Sequence, residues 1–320
     1  MAKEGTKPLS QAIPQARAEI HRPSLSLTWQ RVLPYAFIFP AFIFYTIFLA
    51  IPIVGTVVIS FFEWTGISFN TIKWVGFDNY VALTRDDVFW QAIKHNVYFI
   101  AGGMTSIVVV GLFLAVLLEQ NLPGSSFFRG IFFVPTVMSL VVVGLIFTLI
   151  LSPELGLVNP LLRQLGLGHL AKAWLGDPQT ALPTVIAVDV WRNFGLGMFL
   201  FIAGLKGIDS EIFEAAKIDG ATPLQSFWRI TMPLLWPVTA LVIILTSINT
   251  LKLFDLIYVM TAGGPNHASQ VLTTWMYSQG FTYNKMGYGS AVAVVLLVLT
   301  FVFTLVQLRV FSRDTTGGAQ

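Results

Sequence analysis

Cysteine is absent from this 320-residue chain, and charge is scarce: Asp, Glu, Lys and Arg together make up 11% of it. The first absence excludes a disulfide framework and any Cys-ligated metal site. The second separates the chain from soluble domains, in which about 25% of residues are charged. The four histidines (His21, His95, His169 and His267) are isolated and have no metal-ligand spacing. No G-x-x-x-x-G-K-[S/T] sequence occurs, so there is no P-loop to cradle ATP. Gly195-Leu196-Gly197 lacks the third glycine of a dinucleotide fingerprint, and there is no G-x-S-x-G elbow. Lys and Arg are scattered, with neither a basic arm nor a basic patch interleaved with aromatics, so nothing points to nucleic acid.

Hydrocarbon is what the chain has in abundance. Hydrophobic residues make up 55% of it and the mean hydropathy is +0.73, which indicates an integral membrane protein. A helical crossing takes about 20 residues, and six runs are long enough, at roughly 32–60, 94–118, 130–151, 181–204, 234–259 and 289–310. The runs are continuous and do not alternate, which favours helices over a barrel. The expected fold is all-α, with six transmembrane helices. Several runs contain helix breakers: Pro34, Pro40 and Pro52 in the first, Gly102 and Gly103 in the second, Pro135 in the third. Membrane helices tolerate these where neighbouring groups satisfy the freed carbonyls.

Positive residues set the orientation. With a cytoplasmic N-terminus, the inner segments hold Lys3, Lys7, Arg17, Arg22, Arg31, Arg129, Lys206, Lys217, Arg229, Arg309 and Arg313. The outer ones hold Lys73, Arg85, Lys94, Arg163, Lys172 and Lys285. The excess favours both termini in the cytoplasm. Residues 1–30 are polar, without an apolar signal-peptide core, and read as a disordered cytoplasmic tail. A membrane domain over 31–313 and a short tail at 314–320 follow. Three outer connections (about 61–93, 152–180 and 260–288) are long for a compact bundle. They serve either a partner on the outer face or the capping of the bundle.

One polar stretch interrupts the hydrocarbon on the cytoplasmic side: "FEAAKIDGATPLQSFWRITMP", residues 213–233. Asp209 and Ser210 offer N-cap oxygens, and Glu211 and Glu214 place negative charge in the first helical turn. Gly220 is a natural residue to end that helix. Thr222-Pro223-Leu224-Gln225 then starts a second one, with a capping box and proline at the first helical position. This second helix is expected to stop near Met232, before Pro233. The pattern fits an amphipathic hairpin resting on lipid. It fits equally a surface, small at Ala215 and Ala216, that another protein approaches.

The same residues resemble the cytoplasmic loop of permease subunits of binding-protein-dependent ABC importers. Glu214, Ala215, Ala216, Gly220, Ile230 and Pro233 fall on that loop's characteristic positions, with Met232 where leucine is usual. The resemblance extends to "WRNFG" at 191–195, "IAGLKGIDSEIFEAAKIDGA" at 202–221 and "LKLFDLIYVMTAGGP" at 251–265, which look like the carbohydrate-importing branch. It implies a short coupling-helix hairpin between the fourth and fifth spans, seated in a cleft of an ATPase subunit. Glu214 would be the charged contact, with Ala215, Ala216 and Asp219 beside it, and Gly220 the turn that permits close approach. Phe227, Trp228 and Ile230 would anchor the second short helix, with Pro233 closing the loop.

The resemblance also implies a second permease chain, a dimer of ATPase subunits holding ATP and Mg, and an extracytoplasmic solute-binding protein. It places the chain in a bacterial or archaeal cytoplasmic membrane as a non-enzymatic subunit without a cofactor of its own. The implied solute is a sugar or oligosaccharide, with a sugar phosphate or polyol such as glycerol 3-phosphate as the alternative. Two other classes compete with this reading: an ion-coupled secondary transporter relaying protons through Asp189 and Asp255, and a scaffold or sensor that docks a cytoplasmic partner.

Charges inside spans are costly and turn away from lipid. Asp189 and Arg192 lie in the fourth span, Lys252 and Asp255 in the fifth, each pair spaced i,i+3 on one helix side. Asn193 and Asn249 extend the two polar faces. At about 1.5 Å per residue, Asp189 lies about 12 Å, Lys252 about 11 Å and Asp255 about 6 Å from the outer edge. Either the pairs hold the bundle together, or they line a translocation cavity with Trp191, Ser247 and Tyr258 nearby.

Overall fold

The computed structural model describes residues 27–120 and 123–316. Of the expected N-terminal tail, residues 1–26 lie outside the described residues, and Leu27–Gln30 already belong to a helix. Of the expected C-terminal tail, 317–320 lie outside, and 314–316 continue the last helix. The chain forms two units, divided between Ile53 and Val54. The first contains α1 (Leu27–Tyr45), which includes Pro34 and Pro40, and a π turn at Thr46–Ala50. There the Thr46 hydroxyl donates to the Phe42 carbonyl at 2.8 Å. Helix α2 (Ile51–Ile59) begins in this unit and ends in the second.

The second unit opens with a two-residue ribbon, β1 (Phe62–Glu63) against β2 (Lys73–Trp74), followed by α3 (Asp78–Thr84). Helices α4 (Asp87–Tyr98) and α5 (Thr105–Glu119) join through a π turn into one 33-residue helix. Next come α6 (Ser125–Val137), α7 (Leu140–Ile150), α8 (Val158–Gln164) and the 26-residue α9 (Ala181–Lys206). A polar hairpin holds α10 (Ser210–Ile218), α11 (Pro223–Ser226) and α12 (Met232–Leu234). The chain ends with α13 (Trp236–Leu251), α14 (Asp255–Thr261), α15 (Leu272–Tyr277) and α16 (Met286–Thr316).

Among the described residues, four stretches are long and apolar enough to cross a membrane unbroken: Leu33–Ile59, Asp87–Glu119, Ala181–Lys206 and Met286–Phe311. Two more crossings are formed if each bent pair counts as one: α6 with α7, bent by 98°, and α11–α12 with α13, bent by 63°. The sequence suggests continuous helices over 130–151 and 234–259, and both are broken. In the first, Pro135 gives no N–H to the ladder, and Met138 and Ser139 turn extended, with ψ of 144° and 136°. In the second, α13 stops at Leu251 and the helix resumes only at Asp255. Freed carbonyls at both breaks find donors, as non-helical backbone at membrane depth requires. Met138 O accepts from Arg192, and Leu253 O from the Thr273 hydroxyl at 2.6 Å.

Helix α9 is the axis of this unit, and its glycines explain why. A Cβ on Gly195 would lie 2.2 Å from the Phe132 carbonyl oxygen, so α6 reaches α9 only because that side chain is missing. On the neighbouring face, Gly111 of α5 lies against Met198 and Gly197. Met198, Phe201 and Ile202 of α9 pack with Ala115, Leu118 and Val242, and this cluster ties α5, α9 and α13 together.

The three long connections between spans, at about 61–93, 152–180 and 260–288, all carry structure of their own. Asp86 caps α4, accepting from the Val88 and Phe89 amides, and also takes hydrogen bonds from Trp275 Nε1 and the Tyr288 hydroxyl. His95 Nδ1 and the Gln270 carbonyl lie 2.7 Å apart, which ties α4 to the chain before α15. Trp174 Nε1 donates to Asn159 of α8 at 2.8 Å. The first and third connections are thereby joined to each other, and the second is held by bonds within itself.

Candidate functional site: a charged cavity and a polar hairpin

A cavity of about 310 Å³ lies between α9 and the α13–α14 break. Asp189, Arg192 and Asn193 line one side, and Asn249, Lys252 and Asp255 the other. Residues some 60 positions apart in the sequence therefore share one space. Asp189 is only 3% exposed. Asn193 Nδ2 donates to its carboxylate Oδ1 at 2.8 Å and to its backbone carbonyl at 3.0 Å.

Asp189 and Arg192, spaced i,i+3 on one helix side, form no ion pair with each other. Arg192 instead sends Nε and Nη2 to the Met138 carbonyl, at 3.2 and 3.1 Å, and Nη1 to Asn193 Oδ1 at 2.9 Å. The α6–α7 break has exposed an acceptor that outcompetes the carboxylate for this guanidinium. Asn193, as donor and acceptor, then joins the two charges. The Arg192 carbonyl in turn accepts from the Thr136 hydroxyl at 3.0 Å. Across the cavity, Lys252 closes the end of α13 and Asp255 opens α14, where a negative charge suits the helix N-terminus.

Three expected lining residues lie elsewhere. Trp191 packs edge-on against Phe147 at 5.0 Å, in a separate apolar groove with Trp174 and Pro183. It is one residue, and so about 100° of helix, away from Arg192. Ser247 is fully buried and bonds to Gln307 Oε1 at 3.0 Å and to the Ile243 carbonyl at 2.7 Å. Tyr258 lies beyond the break and stacks on Phe254 at 5.1 Å. The sequence reading missed Thr246, Thr250 and Phe254, which do line the cavity. The threonines carried a signal, since 246, 249 and 250 share one helical face. Phe254 carried none.

At the other end of α9, the polar hairpin folds as its caps direct. Asp209 accepts from the Glu211 amide at 3.0 Å to start α10. Gly220, at φ +79°, makes the left-handed turn that ends it, and the Ala221 amide returns to the Ala216 carbonyl at 2.9 Å. Thr222 and Gln225 form the reciprocal capping box, at 2.9 and 3.3 Å. The second helix does not stop before Pro233. A π turn over Phe227–Thr231 widens it, and it continues through Pro233 to Leu234.

Phe213, Ala216, Phe227 and Ile230 face inward and are half-buried, with Thr231 fully buried. Glu214, Ala215, Asp219 and Gly220 are exposed, and nothing lies within 4 Å of a Cβ placed on Gly220. Ile218 is 86% exposed. Trp228, expected as an anchor, is 60% exposed and belongs to the outward surface. Beside the hairpin, Arg129 pairs with Glu119 at 3.1 Å and donates to the Leu118 carbonyl, fastening the start of α6 to the end of α5.

Residues 107–314 match the family described as "Binding-protein-dependent transport system inner membrane component", a stretch that includes both the cavity and the hairpin. The probable ABC transporter permease protein YurN of Bacillus subtilis is 40% identical over 284 residues, covering 88% of this chain and 96% of the relative. The multiple sugar-binding transport system permease protein MsmF of Streptococcus mutans is 32% identical, covering 87% and 95%. In fold, the chain resembles a subunit of a bacterial alginate ABC transporter crystallised with an alginate pentasaccharide-bound periplasmic protein. The TM-score is 0.78 at 24% identity, covering 90% of this chain and 98% of that one. This all-helical chain belongs to the inner-membrane permeases of binding-protein-dependent ABC transporters, multi-pass transport components and not enzymes.

Proposed function

We propose that this permease pairs with a second, related permease chain to form the membrane path for a sugar or oligosaccharide. An extracytoplasmic binding protein delivers the solute to the outer end, and a dimer of ATPase subunits, holding ATP and Mg, drives the cycle. In this reading each bent helix pair is one crossing, giving six spans within 31–313 and both termini in the cytoplasm. Family membership removes the ion-coupled secondary transporter and the scaffold as readings of the chain. The permease of a multiple sugar-binding system among its relatives supports a saccharide as solute.

The observation that carries the proposal is the convergence of Asp189, Arg192, Lys252 and Asp255, with Asn193 and Asn249, on one cavity. Such a lining offers donors and acceptors in quantity, which is what a polyhydroxylated solute needs. Two acids against two bases leave the cavity without net charge. That balance favours a neutral sugar over an anion such as glycerol 3-phosphate.

The hairpin is the coupling element. Helix α10 turns Glu214, Ala215 and Ile218 outward, and Gly220 keeps the next turn bare. This surface is small, apolar and acid-tipped, and suits a cleft in an ATPase subunit. Phe213, Phe227 and Ile230 on the inner side transmit its movement to α9 and α13. Purification of the intact importer in mild detergent tests the reading. The ATPase subunit is expected to co-purify with the unmodified chain and to be lost or strongly depleted with Glu214→Arg. Equal recovery with both chains refutes the coupling role of this face.

A further inference from the structure

Four aromatic rings form a row that starts in the cavity and ends at the surface. Phe254 lines the cavity. Its centroid lies 5.1 Å from both Tyr258 and Tyr277, which are 5.0 Å from each other, and Tyr277 lies 5.2 Å from Phe281. Phe254 and Tyr258 are one helical turn apart across the start of α14. Tyr277 and Phe281 are one turn apart across the end of α15 and the π turn Ser278–Thr282. Two helix turns thus present their rings to each other.

None of the four is buried: Phe254 and Tyr277 are half-buried, Tyr258 is 41% exposed and Phe281 61%. Exposed apolar rings are common in this chain, as a lipid-facing surface requires, but this row is continuous with the charged cavity through Phe254. The charges around it narrow the choice of ligand. Lys252 and Asp255, both exposed, flank Phe254. Protein–protein interface cores are depleted of Lys and Asp, so a partner helix is a poor fit here. A sugar ring is a good one: its C–H faces pack on aromatic faces while its hydroxyl edges reach the flanking charges.

We infer that Phe254, Tyr258, Tyr277 and Phe281 form a stacking subsite that takes successive rings of a neutral oligosaccharide into the cavity. This rests on the proposed saccharide function. It adds that the chain discriminates solutes by length, because only an oligosaccharide reaches from the cavity to Phe281.

The test uses the complete importer with its binding protein, reconstituted in vesicles. Neutral gluco-, galacto- and arabino-saccharides of one to five residues compete for uptake, so that the ratio of long to short cancels differences in protein loading. Phe281→Ala and Tyr258→Ala are expected to lower that ratio about 3- to 10-fold, and Phe281→Trp to preserve it. An unchanged ratio, or equal loss for every length, overturns the subsite. So does ATP hydrolysis that rises without solute in the Ala variants, which would make the row a gate closing against the second permease chain. Uptake of monosaccharides alone by the unmodified complex overturns it as well. Uptake of no saccharide at all refutes the underlying saccharide reading itself.

Discussion

Asn193 is the residue on which the cavity's charge arrangement depends. It takes a hydrogen bond from Arg192 and gives two to Asp189, so both charges are held without touching each other. An ion pair would consume donors and acceptors that a solute needs. The amide bridge leaves part of each group turned to the cavity. Asn193→Leu keeps the bulk and removes all three bonds. Leaving such buried partners unmade costs about 1–3 kcal/mol, and uptake is expected to fall about tenfold or more at an unchanged membrane level of the protein. Ser247→Ala is the control on the neighbouring helix. Ser247 is buried away from the cavity against Gln307, so its loss is expected to cost about 1 kcal/mol of stability and to leave uptake within about twofold. Vesicle uptake and thermal unfolding in detergent separate the two effects. Equal uptake by both variants would remove Asn193 from the transport path.

The elements differ in how far the sequence discloses them, and the difference follows the range of the forces involved. The hairpin's caps are local: Asp209, Gly220, Thr222 and Gln225 act within a few residues, and they form as their spacing indicates. Charges in hydrocarbon are legible for a different reason, since Asp189, Arg192, Lys252 and Asp255 have nowhere to go but inward. The helix breaks are not legible in detail. Pro135 is visible, yet the turn falls at Met138–Ser139, where Arg192, more than fifty residues away, captures the freed carbonyl. Trp191, Ser247 and Tyr258 are misplaced because rotation about a helix axis, and the break after Leu251, decide which side chains meet the cavity. The capping box supplies a test at this scale. Thr222→Ala removes one side of it and loosens the hairpin by about 1 kcal/mol, while the outward face of α10 remains intact. The ATPase subunit is therefore expected to co-purify as before, with fewer solute molecules moved per ATP hydrolysed in reconstituted vesicles. An unchanged ratio would mean that the second helix bears no load.

For the whole molecule, the arrangement follows from where the two ends face. The cavity opens beside the α13–α14 break, near the connection over 260–288. The hairpin follows the C-terminal end of α9, 17 residues or about 26 Å along that helix from Asp189. A solute path along α9 and a coupling surface beyond its C-terminal end are useful only if the hairpin is cytoplasmic, which is what the excess of Lys and Arg on that side predicts. The absence of cysteine makes this directly measurable, because any single cysteine introduced is the only thiol in the chain. Leu155, in the connection before α8, is 85% exposed, and Ile218, at the end of α10, is 86% exposed. A membrane-impermeant maleimide applied to intact cells is expected to label Leu155→Cys and to spare Ile218→Cys until the membrane is opened. Expressing the chain without its proposed ATPase partner keeps Ile218 uncovered, and because the two side chains are then almost equally exposed, the difference in labelling reports sidedness and not reactivity. The reverse pattern would put the hairpin outside, out of reach of any cytoplasmic ATPase. The charge bias, the coupling role of Glu214 and the direction of transport would then fall together.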